Sequence, residues 1–320
     1  MHILGIDLAK KTFDVTLLTP PCARHHRTFP NTPPGFHALL RWLASHGVRR
    51  LRACMEATNV YWEALAQYPV EHDVTVHVVK AARIKGYAMS QMRRNKTDKQ
   101  DSATIAAFCA AHELPAWVPP TAAQRKLRPS VRHRDDLIAS RIQQTNRLQD
   151  TSDPDVRASL SAVVATIANQ LTSIQQQFTA HLHAHAELGE QHDLRDAVPG
   201  IGPLTAQKLV AEFYDLANYA SAKAVGADAG LTPANYESGT SVRRRPCLSK
   251  MGKASIRAAL YMPAITVMRS NTEFKQFAAR LAARGKPFGV ILGAVMRKLL
   301  HLMKHLTNNS LLPVNVKFSA

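Results

Sequence analysis

The chain has 320 residues, of which 46% are hydrophobic, so it is long enough for roughly two to three domains that each bury a core. Its formal net charge of +18, from 41 basic and 23 acidic side chains, predicts a polyanionic partner, first of all nucleic acid. Four cysteines without a CxxC pair argue against a structural zinc site, and no apolar run approaches the length of a membrane span.

Alternating and periodic apolar residues predict an α/β domain over residues 1–118. We expect the order β-β-β-α-β-α-β-α, with a basic loop between the last strand and the last helix. A cluster of prolines that interrupts regular structure ends the domain: Pro115, Pro119 and Pro120. The predicted strands are His2–Leu8, Thr12–Leu18, Arg24–Phe29, Leu51–Glu56 and Val74–Val79, and the predicted helices begin at Pro33, Tyr61 and Asp98.

Two further regions are predicted to be mainly helical. Residues 119–190 form an arm with a break near Thr151–Pro154, because apolar residues recur at spacings of three and four. Both an antiparallel helical pair and a coiled coil against a second subunit fit this pattern. Residues 191–320 form a mainly α C-terminal domain that contains a loop at 230–249. Its helices run through Phe213 and over residues 255–268, 272–283 and 290–306.

Basic charge is concentrated at two places. Residues 238–320 contain 15 Lys and Arg but only one acidic residue, Glu273, which favours binding to nucleic acid over a merely solvated surface. A second cluster lies between residues 80 and 99, where only Asp98 interrupts the basic residues. In addition, Val198–Gly202 resembles a helix-hairpin-helix turn, whose backbone N–H groups can contact phosphate.

Four carboxylates occupy positions where an α/β domain can bring them together. Asp7 and Glu56 end strands, and Asp98 and Asp101 lie three residues apart, on one face of a helix. Taken singly, each fits a turn, cap or solvated residue. Taken together beside a basic loop, they predict a site for Mg²⁺, with two ions and with Mn²⁺ as a substitute. Three other aspartates lack this setting and are expected to be structural: Asp14, Asp135 and Asp136.

The carboxylate segments carry a resemblance to a known family. Gly5–Asp7, Met55–Thr58 and Arg94–Asp101 follow the Asp, Glu, Asp, Asp order of RuvC-like domains, a branch of the ribonuclease H fold. With five downstream blocks, the chain resembles, over nearly its whole length, the DEDD transposases of bacterial insertion sequences, known as the insertion-sequence 110 family. Those blocks are Pro199–Gly202, Gly230–Pro233, Glu237–Gly239, Ser249–Lys253 with Arg257, and Met296–Leu300.

The resemblance also assigns a serine. From composition alone, Ser238 before Gly239 fits a plain turn. The family implies instead that Ser238 is a nucleophile that forms a phosphoserine link to DNA, with Ser241 and Ser249 as alternatives. Basic residues near this serine and near the carboxylates are predicted to hold nucleic acid: Arg93, Arg94, Lys96, Arg243, Arg244, Arg245, Lys250, Lys253 and Arg257.

The family further implies a set of partners. Target DNA, donor DNA and a structured non-coding guide RNA encoded by the element are expected. The active protein is expected to be a homo-oligomer, a dimer or tetramer, in which the carboxylate domain of one subunit faces the serine domain of another. Charged residues near the start of the chain argue against a signal peptide, so we expect a cytoplasmic, nucleoid-associated bacterial protein without a membrane partner.

Two other functions are compatible with parts of the pattern. A RuvC-like endonuclease that hydrolyses branched DNA would use water as its nucleophile and would leave Ser238 structural. A DNA-binding protein without enzymatic activity would keep the carboxylates only as remnants. The intact set of four carboxylates argues against the DNA-binding protein without activity. The basic Ser238–Gly239 block favours a recombinase over the hydrolytic endonuclease.

Overall fold

Five strands near the start of the chain form one mixed sheet with the order β3-β2-β1-β4-β5. Strand β2 pairs antiparallel with both β1 and β3, whereas β4 pairs parallel with β1 on one side and with β5 on the other. All five predicted strands are present, with ends that differ from the prediction by at most one residue. The strands are β1 (His2–Leu8), β2 (Thr12–Thr19), β3 (Ala23–Pro30), β4 (Leu51–Glu56) and β5 (Thr75–Val79).

The computed structural model describes residues 1–21, 23–57, 61–92, 97–213, 216–239, 242–243 and 247–309. Its contacts divide the chain into two units, Met1–Pro119 and Pro120–Ala320. The first unit contains α1 (Pro33–Ser45), α2 (Trp62–Val70), α3 (Ala81–Ser90) and α4 (Asp98–Ala111). Helix α3 was not predicted, since the basic segment after β5 was expected to be a loop.

The two faces of the sheet carry different helices. On one face, Phe13, Val15 and Leu17 of β2 belong to a buried cluster with Phe36 and Leu39 of α1. On the other face, α4 packs so closely on β1 that a Cβ atom at Gly5 would lie 2.2 Å from the carbonyl oxygen of Ser102. Ser102 and Thr16 of β2 also share a buried hydrogen bond of 2.8 Å between their hydroxyl oxygens. Helix α4 is therefore fixed over the middle of β1.

The second unit begins with two long helices, α5 (Ala122–Asp150) and α6 (Pro154–Ala184), which pack against each other. They are antiparallel, because His181 is bonded to the carbonyl of Ala123 whereas Arg157 donates to the carbonyls of Leu148 and Thr151. The break between them falls at the predicted position.

Six shorter helices form the rest of the described part of this unit, and all but the first of them contribute to one buried cluster. Between the third and fourth of them lie four strands of two residues, where the sequence predicted only a loop. The helices are α7 (Ala186–Asp196), α8 (Pro203–Glu212), α9 (Ala222–Asp228), α10 (Ala254–Ser270), α11 (Thr272–Ala283) and α12 (Phe288–Asn309). The strands are β6 (Pro233–Ala234), β7 (Glu237–Ser238), β8 (Val242–Arg243) and β9 (Cys247–Leu248).

Candidate active site and nucleic-acid contacts

Asp7 and Glu56 lie beside each other on neighbouring parallel strands. In the register of β1 and β4, Ile6 is the partner of Met55. Asp7 and Glu56 are the next residues of these parallel strands and therefore lie level with each other. Both side chains are half-buried. The structure thus places these two carboxylates at one edge of the sheet, as the sequence predicted.

The other two acids lie in the first turn of α4, above the same edge. The helix begins at Asp98 because the Thr97 hydroxyl accepts a hydrogen bond from the backbone N–H of Gln100. Asp98 is exposed, and Asp101 is half-buried and immediately precedes Ser102, which anchors α4 to the sheet. The packing of α4 on β1 therefore brings the first turn of the helix to the acids of the sheet.

The electrostatics of Asp7 show that the other three acids lie near enough to act on it. Burial and the negative charges of Asp101, Asp98 and Glu56, in that order, raise the pKa of Asp7 to about 6, against a weaker opposing hydrogen bond from the backbone N–H of Leu8. Like charges within reach of each other disfavour the ionised form. A bound cation would relieve this repulsion.

The donor set fits a hard divalent cation, because carboxylate oxygens are the ligands that Mg²⁺ and Mn²⁺ prefer. In the described ranges, however, no three His, Cys, Asp or Glu side chains are close enough together to hold a metal ion. The four acids are thus within electrostatic reach but are not arranged as ligands. Their role as metal ligands stays a prediction.

Asp14 is a fifth acid near this edge, and it has partners of its own. It pairs with Asp7 in the register of β1 and β2. Its carboxylate accepts a hydrogen bond of 2.6 Å from Thr28 and lies 3.0 Å from Nε2 of His26. These contacts across β2 and β3 account for Asp14 without a metal.

Ser238 lies in a small hairpin, where β7 pairs with β8 and Ser238 is the partner of Val242. The side chain is exposed. The next residue, Gly239, has a φ of +57°, a left-handed conformation that glycine adopts without strain. The alternative Ser249 is half-buried, and its backbone N–H donates to the carbonyl of Thr232. Ser241 lies outside the described residues.

Partly buried polar contacts join the two ends of the segment that carries Ser238. Before the segment, Asp228 ends α9 and accepts a 2.8 Å hydrogen bond from the Tyr219 hydroxyl. After it, the Lys253 ammonium lies 3.2 Å from the Asp228 carboxylate and donates to the carbonyl of Glu212. We call Tyr219, Asp228 and Lys253 the base cluster.

The base cluster is half-buried. Burial lowers the pKa of Lys253, and the charge of Asp228 opposes this effect. A Cβ atom at Gly252 would lie 2.2 Å from the carbonyl oxygen of Asp228, so only glycine fits there. Arg257 donates to the carbonyls of Ala229 and Gly252 and thereby joins the same two chain segments. The hairpin with Ser238 thus projects from a rigid base.

Comparison with known proteins places this architecture in a family. A family model described as "Transposase", of the IS110 type with the DEDD motif, matches residues 4–152, and one described as "Transposase IS116/IS110/IS902 family" matches residues 194–279. Two curated relatives from Moraxella lacunata and Moraxella bovis, both named pilin gene-inverting protein, are 31% identical over 93% of this chain and 92% of their own length. The chain belongs to the IS110 family of transposases. A further relative, an uncharacterised IS110 protein of Streptomyces coelicolor, is 26% identical over 48% of the chain and 36% of its own length.

The residues of this transposase that were predicted to contact nucleic acid differ in their exposure and in their bonds within the protein. Lys250 is exposed, with a φ of +53°. Lys253 and Arg257 bind the protein's own carbonyls, so they have an architectural role whether or not they also contact nucleic acid. Of Arg243 the structure describes only the backbone, in β8. The remaining predicted contacts lie outside the described residues: Arg93, Arg94, Lys96, Arg244 and Arg245.

Two features of the transposase escaped sequence reasoning. Tyr219 and Asp228 were not singled out, because an aspartate at the end of a short helix carries no signal of its own. Gly5 was noted only as part of the Gly5–Asp7 segment, yet its missing side chain is what admits α4 to the sheet. No helix in the described part of the transposase is both long and apolar enough to cross a membrane.

Proposed function

We propose that this transposase cuts and rejoins DNA by transesterification, with Ser238 as the nucleophile and with Asp7, Glu56, Asp98 and Asp101 as the holders of divalent metal, Mg²⁺ in the first place. The single observation that supports the metal site best is the raised pKa of Asp7. The neighbouring negative charges disfavour the ionised form of Asp7, and a bound cation would offset their repulsion. When bound, the metal supplies positive charge that stabilises the phosphorane-like transition state and activates the hydroxyl.

Ser238 carries out two steps in this proposal. Its Oγ forms a bond to phosphorus while the bond from phosphorus to a deoxyribose oxygen breaks; the hydroxyl proton leaves to a base, and the leaving oxygen takes up a proton. In the second step, a deoxyribose hydroxyl of another strand attacks the phosphoserine and releases Oγ. No net hydrolysis occurs. The exposure of Ser238 on its hairpin supports this role, because a buried serine could not reach a DNA backbone.

The active site is proposed to be composite, with the carboxylates of one subunit serving the serine of another within a dimer or tetramer. A complementation experiment tests this directly. Asp7→Asn and Ser238→Ala are each expected to be inactive alone, and a mixed population of both variants should recover part of the strand-exchange activity. If the mixture stays inactive although the two variants assemble together, the carboxylates and the serine belong to one subunit.

The nucleic-acid partners are proposed to be donor DNA, target DNA and a structured guide RNA, which the acid-poor segment from residue 238 to 320 would bind by its charge. Such a protein would work at the bacterial nucleoid. Purification from its host, followed by sequencing of the bound nucleic acid, should yield one defined RNA encoded beside the gene. Random host RNA or DNA alone would argue against a guide.

The names of the Moraxella relatives suggest one form of the reaction. Both are described as inverting a pilin gene. We propose that the present transposase can likewise invert a segment between two sites of one DNA molecule, since inversion and insertion both need two cleavages and two rejoinings. A plasmid with two inverted copies of the element ends should give the inverted product with the wild type and not with Ser238→Ala. Hydrolysed ends without rejoining would favour a RuvC-like nuclease instead.

A further inference from the structure

Helix α12 carries two basic side chains one turn apart, Arg297 and His301, on the side that packs against α9. Gly226 of α9 faces the Arg297 side chain. A Cβ atom there would lie 3.4 Å from Cγ and 3.6 Å from Nε of Arg297, so the arginine side chain runs along the surface of α9. The position of its guanidinium is therefore set by helix packing.

Both side chains keep a buried nitrogen without a partner. Nε of Arg297 and Nε2 of His301 are shielded from solvent, and neither is hydrogen-bonded. Neither residue forms an ion pair within the described part of the chain. Folded proteins rarely leave buried polar atoms unsatisfied, and an ordered water, an ion or a ligand group supplies the partner of such an atom.

The charge around these nitrogens is positive. Burial lowers the pKa of His301, and the charges of Arg297 and Lys223, an exposed residue of α9, lower it further. The acid at the end of α9, Asp228, is already bonded to Tyr219 and Lys253 of the base cluster. No acid among the described residues pairs with Lys223, Arg297 or His301, so an anionic ligand would balance the charges of Lys223 and Arg297.

We propose that Lys223, Arg297 and His301 form a binding site for a phosphodiester group of nucleic acid. The inference rests on the proposed function in taking nucleic acid as the substrate. A phosphate offers several acceptor oxygens at once, which suits two fixed donors on one helix turn and an ammonium from the neighbouring helix. This site lies outside the Ser238 hairpin and contributes to holding the nucleic acid rather than to the chemistry.

The test measures binding without cleavage, in EDTA, for the full-length protein. Labelled DNA duplex and labelled RNA hairpin are titrated separately between 50 and 200 mM salt. Loss of one phosphate contact lowers the slope of log Kd against log salt by about 0.7–0.9. Between 50 and 200 mM salt, the affinity of such a variant should therefore fall by a factor that is roughly threefold smaller than the factor for the wild type. We expect this change for Arg297→Gln and Lys223→Gln with DNA, with RNA or with both, and the two probes identify which nucleic acid occupies the site.

Lys298→Gln is the matched control. It removes the same charge from the next position of α12, but Lys298 lies 4.6 Å from the ring centre of Phe277 in α11. Unchanged slopes for Lys223→Gln with both probes would overturn the proposal, as would an equal change in Lys298→Gln. Lys223 is exposed, so its variant keeps the test valid if Arg297→Gln fails to fold. Strand cleavage in Mg²⁺ is measured separately, so that failure of the phosphate site is distinguished from failure of the serine chemistry.

Discussion

The repulsion among the four acids predicts that Asp7→Asn stabilises the metal-free protein. The pKa of Asp7 rises from 3.8 to about 6 in the folded state. Two pKa units correspond to about 3 kcal/mol, and the partial exposure of Asp7 reduces the effect through solvent screening to about 1–2 kcal/mol. We therefore expect the free energy of unfolding to increase by this amount in EDTA at pH 8.

The pH dependence of this gain has a definite sign. Because the pKa is raised on folding, ionised Asp7 destabilises the folded state above pH 6, and the penalty is relieved as the pH falls towards 4. The advantage of Asp7→Asn should therefore be full at pH 8 and absent near pH 4. Urea unfolding at both pH values measures it.

Asp14→Asn is the control for this experiment. It removes the same charge from the register partner of Asp7, where the carboxylate has favourable contacts with Thr28 and His26. We expect no stabilisation from this variant. In addition, Mg²⁺ should stabilise the wild type but not Asp7→Asn. A destabilised Asp7→Asn protein at pH 8 in EDTA would refute the convergence of the four acids.

Three further predictions concern the fold and the chemistry. Gly5→Ala should destabilise the first unit by about 1–3 kcal/mol or more, because the new methyl group would meet the backbone of α4. In thermal unfolding, this variant should also lose the stabilisation that Mg²⁺ gives the wild type. Lys253→Met should lower the free energy of unfolding in urea by about 1–3 kcal/mol, because it leaves Asp228 without its ammonium partner. The double variant with Asp228→Asn should recover part of this loss, and no recovery would mean that the two residues are not coupled. Ser238→Ala should keep its affinity for nucleic acid and lose the covalent protein–DNA adduct on denaturing gels, whereas an undiminished adduct would exclude this serine.

The strands were predictable because they depend on local patterns, whereas the approach of the acids was expected only on the condition that the strands of Asp7 and Glu56 are neighbours. Alternation in β2 and the short apolar runs of β1 and β4 define the strands, and parallel neighbours place Asp7 and Glu56 at one edge. Helix α3 was missed because only Ile84 in it is fully buried. Its fold depends on tertiary contacts, such as the stacking of Arg83 over Phe108 of α4, 5.2 Å from the ring centre.

The environment of Ser238 was less accessible to sequence reasoning. Glycine, proline and serine between residues 230 and 249 predict a loop, and the two-residue strands found there exist only because distant segments pair, as Pro233 does with Leu248. The base cluster likewise joins residues from three separate segments, none with a recognisable motif. The role of Ser238 itself came from the family resemblance and not from local physics.

The most direct test of the account is to locate the covalent link. Wild-type protein is incubated with donor and target DNA and Mg²⁺, digested with nuclease and protease, and analysed by tandem mass spectrometry. We predict a nucleotide phosphate on the peptide that contains Ser238, and its absence in Ser238→Ala and Asp7→Asn. Cleaved DNA with free phosphate ends and no modified peptide, or a modification at Ser241 or Ser249, would contradict the assignment of Ser238 as the nucleophile.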